Sequence, residues 1–294
     1  MGETYPAPGP DGSGLRAVLA PNPSPMTQAG TNSWILGQRD VAVIDPGPAD
    51  PAHLAALLRA VDDRPLTAIL VTHSHLDHSP AARPLAEATG APVLAFGPSE
   101  AGRTPAMAAL RGVAGGEGVD PDFRPDRALS DGEEIAGAGW SLRAHWTPGH
   151  MANHMAFEWI EAETVFTGDT VMGWASTLIS PPDGDLGQFM ESLDRLAGLG
   201  ARRFLPGHGA AVDDPAARCR DLRRHREARS RALLAAMDRP VTIPALVARV
   251  YADTPPALHP AAARNVLAHL IELARSGHVA ATPGLAPDAT WRRL

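Results

Sequence analysis

Regular patterning begins with three short apolar runs set between glycine and proline breaks: LRAVLA at 15–20, SWILG at 33–37 and DVAVIDPG at 40–47. Runs of this length bounded by such residues predict strands joined by tight turns. The period then changes. PAHLAALLRAV at 51–61 carries apolar residues at helical spacing, and TAILVTH from Thr67 is the continuous apolar run of a buried strand. Helix and strand patterns keep alternating through SPAARPLAEAT (79–89), APVLAF (91–96), WSLRAHW from Trp140, MAFEWI from Met155 and TVFTGD from Thr164. A helix follows at 186–197, then a strand running into FLPGHG (204–209). Each half holds several strands and two helices, which predicts a layered α/β domain.

Beyond Val212 the pattern shifts. DPAARCRDLRRHREARSRALLAAM (214–237) predicts one long arginine-rich amphipathic helix, with Pro215 where a helix begins. PVTIPALVARVYAD (240–253) and HPAAARNVLAHLIELARSGHV (259–279) predict two shorter helices, the second ending at Gly277. VAAT (279–282) and TWRRL (290–294) then form a small two-stranded wing. Helices followed by a hairpin is the layout of a winged helix-turn-helix. The expected division is a catalytic domain over 1–212 and a winged-helix-like α+β domain over 213–294.

Composition adds limits. Hydrophobic residues at 44% and charged residues at 20% are ordinary globular usage, while 28 glycines and 29 prolines add loops between real elements. A net charge of -7 argues against nucleic-acid affinity over the whole surface and leaves only a local arginine patch. Cys219 is the single cysteine, so no internal disulfide can form. The opening MGETYPAPGPDGSGLRAVLA has no basic, apolar leader, and no window approaches the ~18 apolar residues of a membrane span. The expectation is a cytoplasmic protein without membrane contact.

The strongest chemical signal is THSHLDHSP at 72–80, where an apolar strand gives way to a helix. His73, His75, Asp77 and His78 fall on one loop, so side chains that a regular strand would splay can converge. Three more candidates follow other strands: His150 in WTPGHMANH, Asp169 in VFTGDT and His208 in FLPGHG, each directly after a glycine that permits a tight turn. Imidazole with carboxylate suits zinc, manganese or iron, whereas magnesium and calcium ask for mostly oxygen. Any one of these residues alone would read as a turn residue; seven together at strand ends do not.

This set, in this order, resembles the metallo-β-lactamase superfamily, whose pattern is HxHxDH, then His, Asp and His on an αββα sandwich. The match covers roughly 15–212. The resemblance implies two divalent ions, zinc first and manganese or iron as alternatives. His73, His75 and His150 would hold one, Asp77, His78 and His208 the other, and Asp169 would bridge. It further implies hydrolysis by a hydroxide shared between the ions, with Asp77 also orienting that water and handling its proton. Asp45, in VIDPG, would buttress the metal loop. Asn153, His154 and Trp174 are candidates for the substrate pocket, with burial as ordinary polar or core residues the competing reading of each.

The segments APNPSPMTQAGTNSWIL (20–36) and STLISPPDGD (176–185), with the winged-helix region, resemble more narrowly the β-lactamase-like protein group, often described as glyoxalase II-like. Flavodiiron enzymes carry Glu where His75 stands, and true β-lactamases usually lack the acid at Asp77, which sets both aside. The expected activity is hydrolysis of a small ester, thioester or lactone. One alternative is a single-strand endoribonuclease, with Arg220, Arg223, Arg224, Arg226, Arg229 and Arg231 contacting phosphates; a solvated helix face is the plainer account of that run. Another is a mononuclear iron dioxygenase acting on persulfides. A DNA-reading role is disfavoured because the helix at 259–275 is mostly apolar. That domain is expected to pack on the catalytic one or to form a homodimer.

Overall fold

A computed structural model describes residues 4–5, 14–110, 112–113 and 118–294. Among them two sheets face each other. The first has seven strands in sequential order: β1 (Thr4–Tyr5), β2 (Arg16–Leu19), β3 (Asn32–Leu36), β4 (Val41–Ile44), β5 (Leu66–Leu70), β6 (Val93–Ala95) and β7 (Arg127–Ala128). It is antiparallel up to β4 and parallel beyond. The second sheet has five: β8 (Glu134–Gly137), β9 (Trp140–Trp146), β10 (Met155–Trp159), β11 (Thr164–Gly168) and β12 (Arg203–Pro206). Only its β11–β12 pair is parallel.

Side-chain alternation explains the layers. In β4, Ala42 and Ile44 join Trp34, Leu36, Leu70, Leu142, Phe157, Phe166 and Leu205 between the sheets. Val41 and Val43 point the other way and meet Leu57 and Val61 of helix α1 (Pro51–Val61) and Leu85 of α2 (Ala82–Thr89). Both faces of the strand are buried, which is why its sequence is continuously apolar instead of alternating. After the short α3 (Pro105–Ala108), α4 (Leu186–Gly198) lays Phe189, Leu193 and Leu196 on the outer face of the second sheet. Asp50, Asp185 and Asp214 start their helices by accepting first-turn amide hydrogens.

Beyond the sandwich come α5 (Pro215–Ala235), α6 (Ile243–Val250), α7 (His259–Arg275) and the hairpin β13 (Val279–Thr282) with β14 (Thr290–Arg293). Leu233, Leu246, Val266, Leu270 and Trp291 form their core. Helix α5 serves two cores: Cys219 and Leu222 of its first half, with Ala268 of α7, belong to the layer over the second sheet. The winged-helix unit therefore packs on the sandwich.

The expected αββα sandwich with an appended winged helix is what the chain forms. The spans read for α1 and β9 coincide with the observed ones, and α4 runs one residue further. Elements without a periodic signal went unread: β7 exposes both its residues, β8 buries one of four, and β1 and α3 are only 2 and 4 residues long. The arginine-rich face of α5 differs from expectation too, because Arg226 is buried. Among the described residues no helix is long and apolar enough to cross a membrane.

Candidate metal centre

Both sheets send loops to a shared edge, and the seven predicted donors meet there. The glycines ahead of them are required by space. Gly168 has φ +47°, and a Cβ on it would stand 2.6 Å from His154 Nε2; one on Gly207 would stand 2.6 Å from His78 Cε1 and 2.7 Å from Asp169 Oδ1. These turns let β11 and β12 end against the HxHxDH loop.

Three overlapping donor groups result: His73, His75 and His150; His73, His78 and Asp169; Asp77, His78 and His208, each with donor atoms within 4.8 Å of one another. His75 Nδ1 lies 2.9 Å from His73 Nε2 and 3.0 Å from His150 Nε2. His78 Nε2 and His208 Nε2 are 3.3 Å apart, and Asp77 Oδ2 is 3.1 Å from the latter. Asp169 sits between the groups, 3.7 Å from His150, 3.5 Å from His78 and 3.4 Å from His208.

The outward nitrogens fix the tautomers. His150 Nδ1 lies 2.7 Å from the Leu178 carbonyl and His208 Nδ1 lies 3.1 Å from the Gly30 carbonyl, acceptors that require the proton on Nδ1. His78 Nδ1 meets Asp45 Oδ2 at 2.9 Å. His73 Nδ1 meets the Thr72 hydroxyl, which donates to Asp45 Oδ2 at 2.8 Å, while the Thr72 amide donates to Asp45 Oδ1 at 2.7 Å. The four Nε2 lone pairs are thereby aimed inward, those of His73 and His150 at His75 Nδ1 and those of His78 and His208 at each other, and Asp169 Oδ1 is buried without a hydrogen-bond partner. Nitrogens bound about 2.05 Å from a tetrahedral ion stand about 3.3 Å apart, so this spacing and chemistry fit a divalent metal.

The electrostatics point the same way. Burial pushes His78 down, but Asp77, Asp169 and Asp45 outweigh it and raise it to about 9. His208 is likewise opposed by burial and lifted to about 11 by Asp169 and Asp77. His75 falls to about 3 through burial and the neighbouring His150. Despite burial, His78 and His208 hold Asp77 down at about 2. The carboxylates thus pull protons onto two donors when no ion is present, and an ion must displace them. With both histidines titrating above neutrality, metal uptake at pH 7 is expected to release protons, and apparent affinity to rise with pH. Calorimetry in buffers of different ionisation enthalpy measures that release; pH-independent affinity with no release would contradict the donor roles of His78 and His208.

The other predicted positions divide. Asp45 accepts hydrogen bonds from Thr72 and His78, beside the donors. Trp174 lines a cavity of about 700 Å³ that opens from His75, Asp77, His150, Asp169 and His208. Asn153 and His154 do not reach that cavity, which corrects their assignment to the substrate pocket. Asn153 is spent inside, donating to Ser74 Oγ and the Gly97 carbonyl. His154 is stacked 5.0 Å from His73, and its Nε2 accepts the Asp169 amide hydrogen at 3.1 Å. Both are packed behind the donors, where the apolar strand β10 begins.

Of the six arginines proposed as phosphate contacts, Arg220 and Arg231 are exposed and the others are engaged with neighbours. Arg223 pairs with Asp194 at 2.8 Å, Arg224 with Asp221, and Arg229 lies over the Tyr251 ring. Sequence reasoning missed Thr72, Thr177 and the carbonyls of Gly30 and Leu178, which anchor donors. It also missed Tyr251 and Leu258, which bring the winged-helix unit to the cavity wall. Thr72, adjacent to His73, carried a readable signal; the others come together only through folding.

Comparison with known proteins places the chain in a family. Residues 26–208 match the model of the metallo-beta-lactamase superfamily, and residues 242–291 that of the beta-lactamase associated winged helix domain. The chain is 30% identical to the beta-lactamase-like protein 2 homolog of Drosophila melanogaster, over 90% of this chain and 89% of that protein. It is 33% identical to the atrochrysone carboxyl ACP thioesterase of Aspergillus fumigatus, over 67% of this chain and 56% of that one. A crystal structure of a metallo-beta-lactamase family protein from Thermus thermophilus superposes with a TM-score of 0.77 at 30% identity, covering 96% of this chain and 99% of that one. With the family pattern filled at all seven donor positions and matched over most of its length, the chain belongs to the metallo-beta-lactamase superfamily.

Proposed function

We propose that this protein is a dinuclear metal-dependent hydrolase of acyl thioesters or comparably activated esters whose acyl part is apolar and uncharged. The observation that carries this reading is the cavity over the donors. Pro25, Met26, Leu76, Met172, Trp174 and Leu258 wall it, and no arginine is among its described lining residues. Such walls suit an aliphatic or aromatic acyl group and present no cationic side chain to a phosphate.

Two bound ions supply an activated water and polarise the carbonyl to be attacked. The chain's own residues do the rest. Asp77, a quarter exposed at the cavity floor, stays ionised at working pH and can accept a hydrogen bond from the attacking water, fixing its direction. Among the described lining residues the one titratable group outside the donor set is Tyr251, whose phenol burial pushes up. The cavity thus offers no ready acid for a leaving group. A thiolate, with a parent thiol near pKa ~8.5, departs without one; an amine does not. The thioesterase named among the relatives is consistent with this chemistry.

The test is turnover of the metal-loaded protein on an apolar acyl thioester, the matching oxygen ester, the matching amide, a lactone and a single-stranded RNA. Thioester is expected to lead and amide to be inert. RNA cleavage lost in Asp77→Ala, without thioester turnover, would overturn the proposal in favour of a nuclease.

A further inference from the structure

Arg226 is a buried cation without a carboxylate. It projects from the middle of α5, is 2% exposed, and among the described residues no acid pairs with it. Its guanidinium donates to the Thr177 carbonyl and, at 3.2 Å, to Asn265 Oδ1; Phe189 lies 5.4 Å beneath, and Nε has no partner. Taking an unpaired cation out of water is costly, and packing alone would be served better by an apolar side chain. Local rules are broken in this way mostly where function requires it.

What Arg226 holds is the backbone behind a metal donor. The Thr177 hydroxyl and the Leu178 carbonyl lie 3.0 and 2.7 Å from His150 Nδ1. The Ile179 amide donates to the same Asn265 Oδ1 at 3.2 Å. Further along, the Asp185 amide donates to the Gly149 carbonyl at 3.0 Å, and the Asp185 carboxylate meets Arg275 of α7 at 3.3 Å. A Cβ on Gly184 would stand 2.9 Å from the carbonyls of Gly149 and His150. Segment 177–185 is therefore pressed between the His150 turn and three side chains that follow Val212: Arg226, Asn265 and Arg275.

We propose that Arg226 is a positioning residue for the metal centre. With Asn265 it holds the backbone of residues 177–179, and so the Thr177 hydroxyl and the Leu178 carbonyl that set the tautomer and aim of His150; the three-histidine site thus depends on helices outside the domain that carries the donors. The other group has separate anchors, Asp45 for His78 and the Gly30 carbonyl for His208. The coupling is thus selective. This inference rests on the reading of the seven donors as ligands.

The experiment titrates the metal-free full chain with cobalt and follows the ligand-field absorption, with His150→Ala marking which equivalent belongs to the three histidines. Arg226→Met is expected to weaken that same equivalent by about 10- to 100-fold, the usual loss of an outer hydrogen-bond partner, and to leave the other where it was. Arg226→Lys, restoring a cation and one donor, should recover part of the loss; a pure packing role would not distinguish it from Met. Asn265→Ala gives the same selective loss in a chain that keeps the arginine, should Arg226→Met fail to fold. Unchanged binding in the variants, or equal weakening of both equivalents, overturns the proposal. Uptake of one equivalent by the wild type would sink the dinuclear assignment alone. The proposal would then stand if Arg226→Met weakens that ion as His150→Ala does, and fall otherwise.

Discussion

Asp169→Ala is expected to lose turnover by about 10³-fold or more, beyond the 10- to 100-fold typical of an outer partner, and to lower the metal content of the same sample. Asp169 stands within 3.7 Å of His150 on one side and of His78 and His208 on the other, so its removal opens the centre from the middle. It also leaves His78 and His208 without one of the charges that lift them above neutrality. Asp169→Asn preserves size and one oxygen, and separates charge from shape. Elemental analysis and thioester kinetics on one preparation decide the matter. Full metal content with full turnover in the alanine variant would remove Asp169 from the centre.

Asp45→Ala is expected to have the second largest effect, although Asp45 does not line the cavity. Its carboxylate takes hydrogens from the Thr72 amide, the Thr72 hydroxyl and His78 Nδ1, and it is 1% exposed. Alanine leaves these donors buried without acceptors, at about 1–3 kcal/mol each. Alanine would also have to adopt φ +52°, where asparagine is comfortable. Asp45→Asn keeps that backbone conformation but removes the charge and turns one accepting oxygen into a donor facing Thr72 or His78, so metal affinity should fall about 10- to 100-fold while turnover returns at saturating metal. Thermal melting with and without added zinc measures both variants. An alanine variant with unchanged melting and unchanged affinity would make Asp45 a turn residue only.

The legible part of this protein lay where sequence and periodicity reinforce each other. β4 read as a strand and β5 as a buried one because both faces are covered, and the Gly-His and Gly-Asp turns announced donors because each glycine is needed at close quarters. The site's walls were less legible. Leu258 and Tyr251 look like ordinary helix-end residues, and only the docking of α7 across the sandwich brings them to the donors. Asn153 and His154 failed for the opposite reason: proximity in sequence to His150 suggested shared exposure, but the chain turns inward there, just ahead of β10, and leaves both behind the centre. The arginine run of α5 read as one solvated surface, yet a helix this long turns each residue toward a different neighbour. Arg226 thus faces the interior while Arg224 faces water.

Part of the cavity wall, Tyr251 and Leu258, comes from a stretch of chain separate from the donor set, and this has an evolutionary reading. Changes at Leu258 or Tyr251 can alter which substrates fit while the seven donors stay fixed, so substrate preference is free to drift ahead of chemistry. The arginine clasp on residues 177–179 sets the limit to that freedom. A winged-helix unit borrowed wholesale from a relative would have to bring an equivalent of Arg226 with it, or arrive at a centre with one histidine out of aim.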